Sequence, residues 1–425
     1  MFIVIFLVSS LLPVVWLGCH VLARRGWPLM PRLFLIALML VISQMMTINE
    51  RFFGSIASPD MPAPLLEAQA AAFTAQALCF LIVFCWDVFR LLRWLWRRAA
   101  ANLARDKTAA PFPGRIGGGP APSRTKAPAD PGRRAFLKRG AASTGLFLAA
   151  PAASLATSCH GVSNGTALPI VNTMERALEG LDPALDGLRI LHMTDIHVGT
   201  LTSVAWMRET VRRANDSAPD LICITGDISD GLLGWASPEG ATRVQVAMEL
   251  AKLSAPLGVW GCAGNHEFYS DYANWMRVYD QVGIRLLRDQ AVLIEHRGGR
   301  LVLAGRDDQV AHERFGRPAV PVRKVFAGMP EPGACARVML DHRPTRAEQN
   351  AAAGCRLQLS GHTHGGQCPG LERGVARANK GRVRGWYTVQ GMPLYVSSGV
   401  GLWSGFPLRL TIPAEMALIT LRAAR

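Results

Sequence analysis

Gly361-His362-Thr363-His364-Gly365-Gly366 places two histidines two residues apart between glycines, directly after the largely apolar run 357–360. In an extended segment residues i and i+2 project to the same side, so both imidazoles can reach one point. The glycines let backbone crowd in at angles other residues avoid. Together they form a strand end able to hold a metal ion. A lone His-x-His is equally a pair of loop histidines, so the reading depends on what the rest of the chain supplies.

It supplies a set. The apolar run 188–193 stops at Thr194-Asp195-Ile196-His197, the run 221–225 at Gly226-Asp227, and the run 258–262 shortly before Gly264-Asn265-His266-Glu267. A fourth run, 337–340, precedes Asp341-His342. Helices are expected between the first three, over about 204–215 with the stripe Val204, Met207, Val211 and Ala214, and over about 243–253. Further strands are expected at 291–295, 301–304, 394–397 and 416–420. Strand and helix alternate, and polar residues gather where strands end, the pattern of an α/β fold with its site at the strand ends. Asp195, His197, Asp227, Asn265, His266, His342, His362 and His364 offer imidazole nitrogen and carboxylate or amide oxygen, enough donors for two ions rather than one.

In this order Asp-x-His, Gly-Asp, Gly-Asn-His-Glu, a lone His and Gly-His-Thr-His, the chain resembles the calcineurin-like metallophosphoesterases. Leu303-Ala304-Gly305-Arg306-Asp307-Asp308, Ser397-Ser398-Gly399-Val400-Gly401 and Pro407-Leu408-Arg409 extend the likeness to the bacterial branch exported by the twin-arginine route. The resemblance covers roughly residues 185–422. It implies a two-sheet β-sandwich flanked by helices, two divalent metal ions and hydrolysis of a phosphoester. By position it implies that Asp195, His197 and His364 bind one ion and that Asn265, His342 and His362 bind the other. Asp227 is implied to bridge the two, and His266 to face the substrate phosphate without binding metal. Asp341, where a small or neutral residue is expected, departs from the pattern; it either points away along its strand or orients its histidine neighbour.

The chemistry of the donors agrees. Two divalent cations with Asp195, Asp227 and one hydroxide leave a centre of about +1, suited to an anionic phosphate ester. Water between such cations loses its proton near neutral pH and can attack phosphorus in line, while His266 stabilises the phosphoryl oxygens or protonates the leaving alkoxide. Mn, Fe and Zn all suit mixed nitrogen and oxygen ligands. The expected activity is a phosphodiesterase; a phosphomonoesterase would share the metal set, and a non-catalytic scaffold would not need all eight residues.

Other residues are read more plainly. Glu267 should satisfy loop amides, Asp307 and Asp308 either support the ligands from behind or, the preferred reading, are solvated loop carboxylates, and His192 should sit within the core. Trp386, Tyr387, Trp403 and Phe406 either rim the site for a lipid or glycan or pack under a loop. Nine cysteines are present, and five of them follow residue 160, which leaves at least one of those five unpaired within that part of the chain. None has zinc-finger spacing, and Cys223 and Cys262 are expected as small core residues.

The chain must also place this domain. Of its 425 residues, the first 159 hold 17 Lys/Arg against 6 Asp/Glu, whereas residues 160–425 hold 29 against 25. The net charge of +15 is therefore a feature of the front of the chain, and no nucleic acid partner is expected. Apolar stretches at about 2–17, 33–46 and 68–86 are read as three transmembrane helices within residues 1–98. The first is not a cleavable signal by the usual test, because no basic residue precedes it. Arg24, Arg25 and Arg32 in the first connection, and Arg90, Arg93, Arg97 and Arg98 after the third span, put both on the cytoplasmic side. The connection with Glu50, Arg51, Asp60 and Glu67 then lies outside. Residues 99–132 read as a flexible basic linker rich in Pro, Gly and Ala, and 133–160 as a twin-arginine signal or anchor, from Arg133-Arg134-Ala135-Phe136-Leu137-Lys138 and the mild apolar run after it. The catalytic domain, 165–425, is thus expected on the periplasmic side of the inner membrane. A phospholipid or envelope phosphoester is the expected substrate class.

Overall fold

The structure, a computed structural model, describes residues 2–23, 26–108, 149–233 and 238–424, apart from the side chains of 2–9 and 103–108. The twin-arginine motif lies outside the described residues, as does most of the expected linker.

The chain divides into two compact units, one of Met1–Gln44 and Ala72–Ser158, the other of Met45–Ala71 and Cys159–Arg425. The three apolar stretches fall in helices α1 (Phe2–Leu22), α2 (Leu29–Ser43) and α4 (Ala63–Thr108), with α3 (Met45–Phe52) following α2. Among the described residues one helical segment, Ala63–Asn102 of α4, is long and apolar enough to cross a membrane. α2 breaks at Gln44 after 15 residues and qualifies only together with α3, at a 61° bend. α4 also runs to Thr108, into the stretch expected as linker, because residues 99–108 are mostly good helix formers. Helix α5 covers residues 149–165.

Two six-stranded sheets make up the second unit. The first contains β1 (Ile170–Leu178), β2 (Arg189–Met193), β3 (Leu221–Thr225), β4 (Val259–Cys262), β5 (Arg285–Leu286) and β12 (Glu415–Ala423), in the order β1-β12-β2-β3-β4-β5. The second contains β6 (Gln290–His296), β7 (Gly299–Arg306), β8 (Ala336–Asp341), β9 (Leu357–Ser360), β10 (Gly385–Val389) and β11 (Met392–Val396), in the order β10-β11-β9-β8-β7-β6. Alternate residues of each strand face opposite layers. Ile190, Leu221 and Cys223 of the first sheet meet Leu301, Val338 and Leu357 of the second in one buried cluster, with Cys262 among them. The neighbours Leu191, Ile222 and Ile224 face the other way, onto α6 (Val204–Asp216), α7 (Pro238–Met248) and, through Trp275 and Val278, α9 (Tyr272–Gln281). α6 starts where Ser203 accepts from the Trp206 amide at 3.1 Å, and it buries Met207, Val211 and Ala214.

β2, β3 and β4 run parallel, and so do β8, β9 and β11. Within each set the carboxyl ends therefore point the same way, and the loops leaving them carry the candidate residues.

Candidate metal centre

Five of the seven expected metal ligands have left-handed backbone: Asp195 (φ 52°), His197 (51°), Asp227 (49°), His362 (71°) and His364 (48°). Non-glycine residues adopt this region reluctantly, and such strain persists only where the surroundings enforce it. Here the enforcement is a mesh of hydrogen bonds from backbone amides between loops. The Asp195 amide donates to Gly226 O (3.0 Å), the His197 amide to Asp227 O (3.0 Å), and the His362 amide to Asp195 Oδ2 (3.0 Å). A β-carbon at Gly361 would run into Thr194 and Asp195, and one at Gly264 into Asp227, so glycine is what lets these loops close on each other.

The result is two clusters. Ligand atoms of Asp195, His197 and His364 lie within 4.8 Å of one another, as do those of Asp227, His342 and His362. His342 Nδ1 donates to Thr225 O at 2.7 Å, leaving Nε2 3.1 Å from Asp227 Oδ2. His197 Nε2 and His364 Nε2 face each other at 3.2 Å, with Asp195 Oδ1 3.5 Å from the latter. Asn265, the first residue of α8 (Asn265–Tyr269), buries its Oδ1 without a hydrogen-bond partner. Buried acceptors are ordinarily satisfied. A buried amide oxygen without a partner, on the residue before the His266 amide that donates to Asp227 Oδ1, fits a cation, and with the two clusters the residues suit the two ions the resemblance implies.

Electrostatics separate the histidines. Burial opposes charge on all of them, and it holds His362 and His364 at about 3, the neutral form a metal requires. At His342 burial is outweighed by the Asp227 carboxylate, which raises it to about 10, so cation and proton would compete for that nitrogen. His266 is raised against burial by Asp230 and Asp227, which suits it to giving up a proton.

Asp230 is the residue the sequence reading missed. Fully buried, it accepts from His197 Nδ1 at 3.0 Å and from His266 Nδ1 at 2.5 Å. One carboxylate thus fixes the tautomer of a candidate ligand and of the candidate acid, freeing both Nε2 atoms for the site. These three form a third cluster with metal-ligand spacing, but both Nδ1 atoms are spent on Asp230. The only local signal was a second aspartate three residues after Asp227.

Glu267 ties two loops: Oε2 accepts from the Gly264 (2.6 Å) and Asp227 (2.9 Å) amides, and Oε1 from Ile228 (2.6 Å). Asp341 turns away from the clusters to Arg346 at 2.6 Å, and His192 is a core residue bonded to Thr225 Oγ1 at 2.8 Å. Asp307 and Asp308 are buried, contrary to expectation. The loop folds under α8, with the Asp308 amide on Ala263 O, and Arg343 pairs with Asp308 at 2.7 Å. Arg409, wholly buried, donates to the carbonyls of Ser398, Gly399 and Gly401 and so pins the loop against Asp195. Trp403 stands 6.0 Å from the His266 ring, whereas Trp386 packs on Tyr395 and Phe406 joins the cluster of Ala70 and Leu408.

Paired histidine–carboxylate clusters at the ends of parallel strands in a two-sheet α/β fold are able to hold metal ions. Residues 188–366 match the model of the calcineurin-like phosphoesterases. The chain is 30% identical over 277 residues to a transmembrane protein with metallophosphoesterase domain from Bos taurus, covering 63% of this chain and 60% of that one. It is 27% identical over 303 residues to a metallophosphoesterase of Bacillus subtilis (strain 168), covering 68% and 98%. A 5'-nucleotidase precursor from Thermus thermophilus aligns with a TM-score of 0.37 at 16% identity, over 55% of this chain and 54% of that one. The chain spans about 60% of the length of the animal transmembrane relatives it matches. Family model and relatives together support the calcineurin-like metallophosphoesterase family over the residues they match.

Proposed function

We propose that the chain is a membrane-associated, dinuclear metal-dependent phosphodiesterase acting on the extracytoplasmic side, with a lipid or envelope phosphoester as substrate. Asp195, His197 and His364 would hold one ion, Asn265, His342 and His362 the other, and Asp227 would serve both. The ions, Mn, Fe or Zn, would supply Lewis acidity at phosphorus and acidify water. The protein's own part is to aim His266 Nε2 at the phosphoryl group through Asp230, where it can donate to an oxygen or to the departing alkoxide.

The observation that carries the reading is the pair of clusters Asp195–His197–His364 and Asp227–His342–His362, each with ligand atoms within 4.8 Å of one another, together with an Asn265 Oδ1 buried without a partner. Preference for a diester rests on charge. Arg343, whose charge acts on His362, is tied to Asp308, and Arg409 is consumed by carbonyls. A monoanionic diester suits a centre whose nearby guanidiniums are already committed better than a dianionic monoester does. Residues 45–71 share a unit with the catalytic domain, and they include the connection that the charge bias puts outside; this supports the extracytoplasmic placement. Naming of the animal relatives as transmembrane supports the membrane association, not the side.

The test uses the full chain in detergent, stripped of metal and reloaded with Mn, Fe or Zn, on an aryl phosphodiester and an aryl phosphomonoester. Metal-dependent diester cleavage that His266→Ala and Asp227→Ala abolish is expected. Monoester preference would replace the diester assignment, and absence of both turnover and binding of two metals would leave a scaffold.

A further inference from the structure

The connection between α3 and α4, residues 53–62, is not a loose link between apolar helices. It lies against the two loops that carry His197 and Asp230. Ser55 Oγ accepts from the amides of Ala57 and Ser58, both at 3.1 Å, and the Asp60 amide closes the turn on Phe53 O at 2.9 Å. Ser58 is 1% exposed. Its Oγ accepts from the Thr200 amide at 3.0 Å, and Thr200 Oγ1 donates to Pro59 O at 2.6 Å. Thr200 follows His197 by three residues.

The second loop is held by an arginine. Arg243 of α7, 2% exposed, donates through Nη2 to Ser58 O at 2.9 Å and pairs with Asp60 at 2.7 Å. Its Nη1 donates to Leu232 O at 2.9 Å, two residues past Asp230. The catalytic loops make room for this segment. A β-carbon at Gly199 would lie 2.8 Å from Ser58 Oγ, and one at Gly231 2.9 Å from Ser58 Cβ. The two loops also pair with each other, the Asp230 amide donating to Val198 O at 2.9 Å.

We propose that residues 53–62 are a built-in part of the active site, in which Asp60 and Ser58 lock Arg243 and thereby position Asp230 and, through it, His197 and His266. Asp60 and Arg243 are positioning residues: they touch neither metal ligand nor substrate, and act through the loop that carries Asp230. The proposal rests on the phosphoesterase reading for its catalytic consequence. Its structural half stands apart, since the contacts exist whatever the chain hydrolyses. A consequence is that the segment beginning at residue 165 lacks one wall of its own site.

The experiment compares full-length wild type, Asp60→Ala and Asp60→Glu in detergent, by amide hydrogen exchange, metal content and turnover of the aryl diester with Mn. Asp60 is one-third exposed, so its truncation leaves the core intact. Asp60→Ala is expected to raise exchange at 197–200 and 228–232 about tenfold with the rest of the domain unchanged. It should lower kcat about tenfold at a KM within twofold and at full metal content, and Asp60→Glu should regain most of both. Unchanged exchange in those loops, or faster exchange with an unchanged kcat, overturns the proposal. So does a loss of activity that follows lost metal or domain-wide exchange, which would mark Asp60 as merely structural. A wild type that exchanges as expected but turns nothing over would remove the proposed function and leave the lock.

Discussion

Replacing Asp230 by Asn tests whether one buried carboxylate orders both the acid and a ligand. The substitution keeps the shape and one acceptor. That acceptor can serve His197 Nδ1 or His266 Nδ1 but not both, since the amide NH2 faces the other imidazole donor to donor. A hydrogen bond to a charged partner contributes about 1.5–3 kcal/mol, and a neutral amide retains about 1 kcal/mol of it at one histidine only. The loss at the other is about 1.5–3 kcal/mol, which at ~1.4 kcal/mol per decade is roughly 10- to 150-fold in rate. His197 is wholly buried whereas His266 is partly open to water, so the amide oxygen should stay with His197 and the deficit should fall on His266. The expectation is therefore a fall in kcat with two metals still bound. Steady-state kinetics of the reloaded full chain beside metal analysis decides it. A kcat within threefold of wild type at full metal content would refute the argument, and loss of one ion would move the deficit to His197.

Two further substitutions probe the frame. Glu267→Gln leaves one amide hydrogen-bond acceptor where a buried carboxylate now serves the Gly264, Asp227 and Ile228 amides, and should cost about 2–4 kcal/mol, read as a lower thermal midpoint and weaker metal retention. Gly361→Ala drives a methyl into Thr194 and Asp195; overpacking of about 1–3 kcal/mol should appear as metal loss before unfolding in a chelator titration, and unaltered metal affinity would show that the loop can give way.

The candidate ligands were legible as a set because each is written just after a strand end, in residue types that suit metal or proton chemistry. The supports are written elsewhere. β1 escaped the periodicity reading because it is an edge strand whose exposed positions include Thr173 and Glu175, so its apolar signal is thin. Asp307 and Asp308 looked solvated because nothing local announces that Arg343 meets Asp308 35 residues on. Residues 53–62 read as a connection between apolar helices, and Arg243, their partner, stands 185 residues from Ser58. The apolar stretches themselves were visible, but hydropathy weighs neither the break at Gln44 nor the helix propensity that extends α4 to Thr108.

Glu267 shows where the limit lies. The sequence places it at the end of Gly264-Asn265-His266-Glu267 and suggests that it satisfies loop amides. One of those amides is its own loop's, Gly264, but the others belong to Asp227, Ile228 and Ser229, as many as 40 residues earlier. The carboxylate therefore joins the loop after β4 to the loop after β3, and it holds Asp227 in the left-handed backbone its position requires. Chemistry that a residue does with its own atoms can be read from its type and neighbours. Chemistry that depends on a residue being held in a strained place has its cause in whatever holds it, and here that cause is Glu267, Asp230 and the segment 53–62, each acting across loops that only folding brings together.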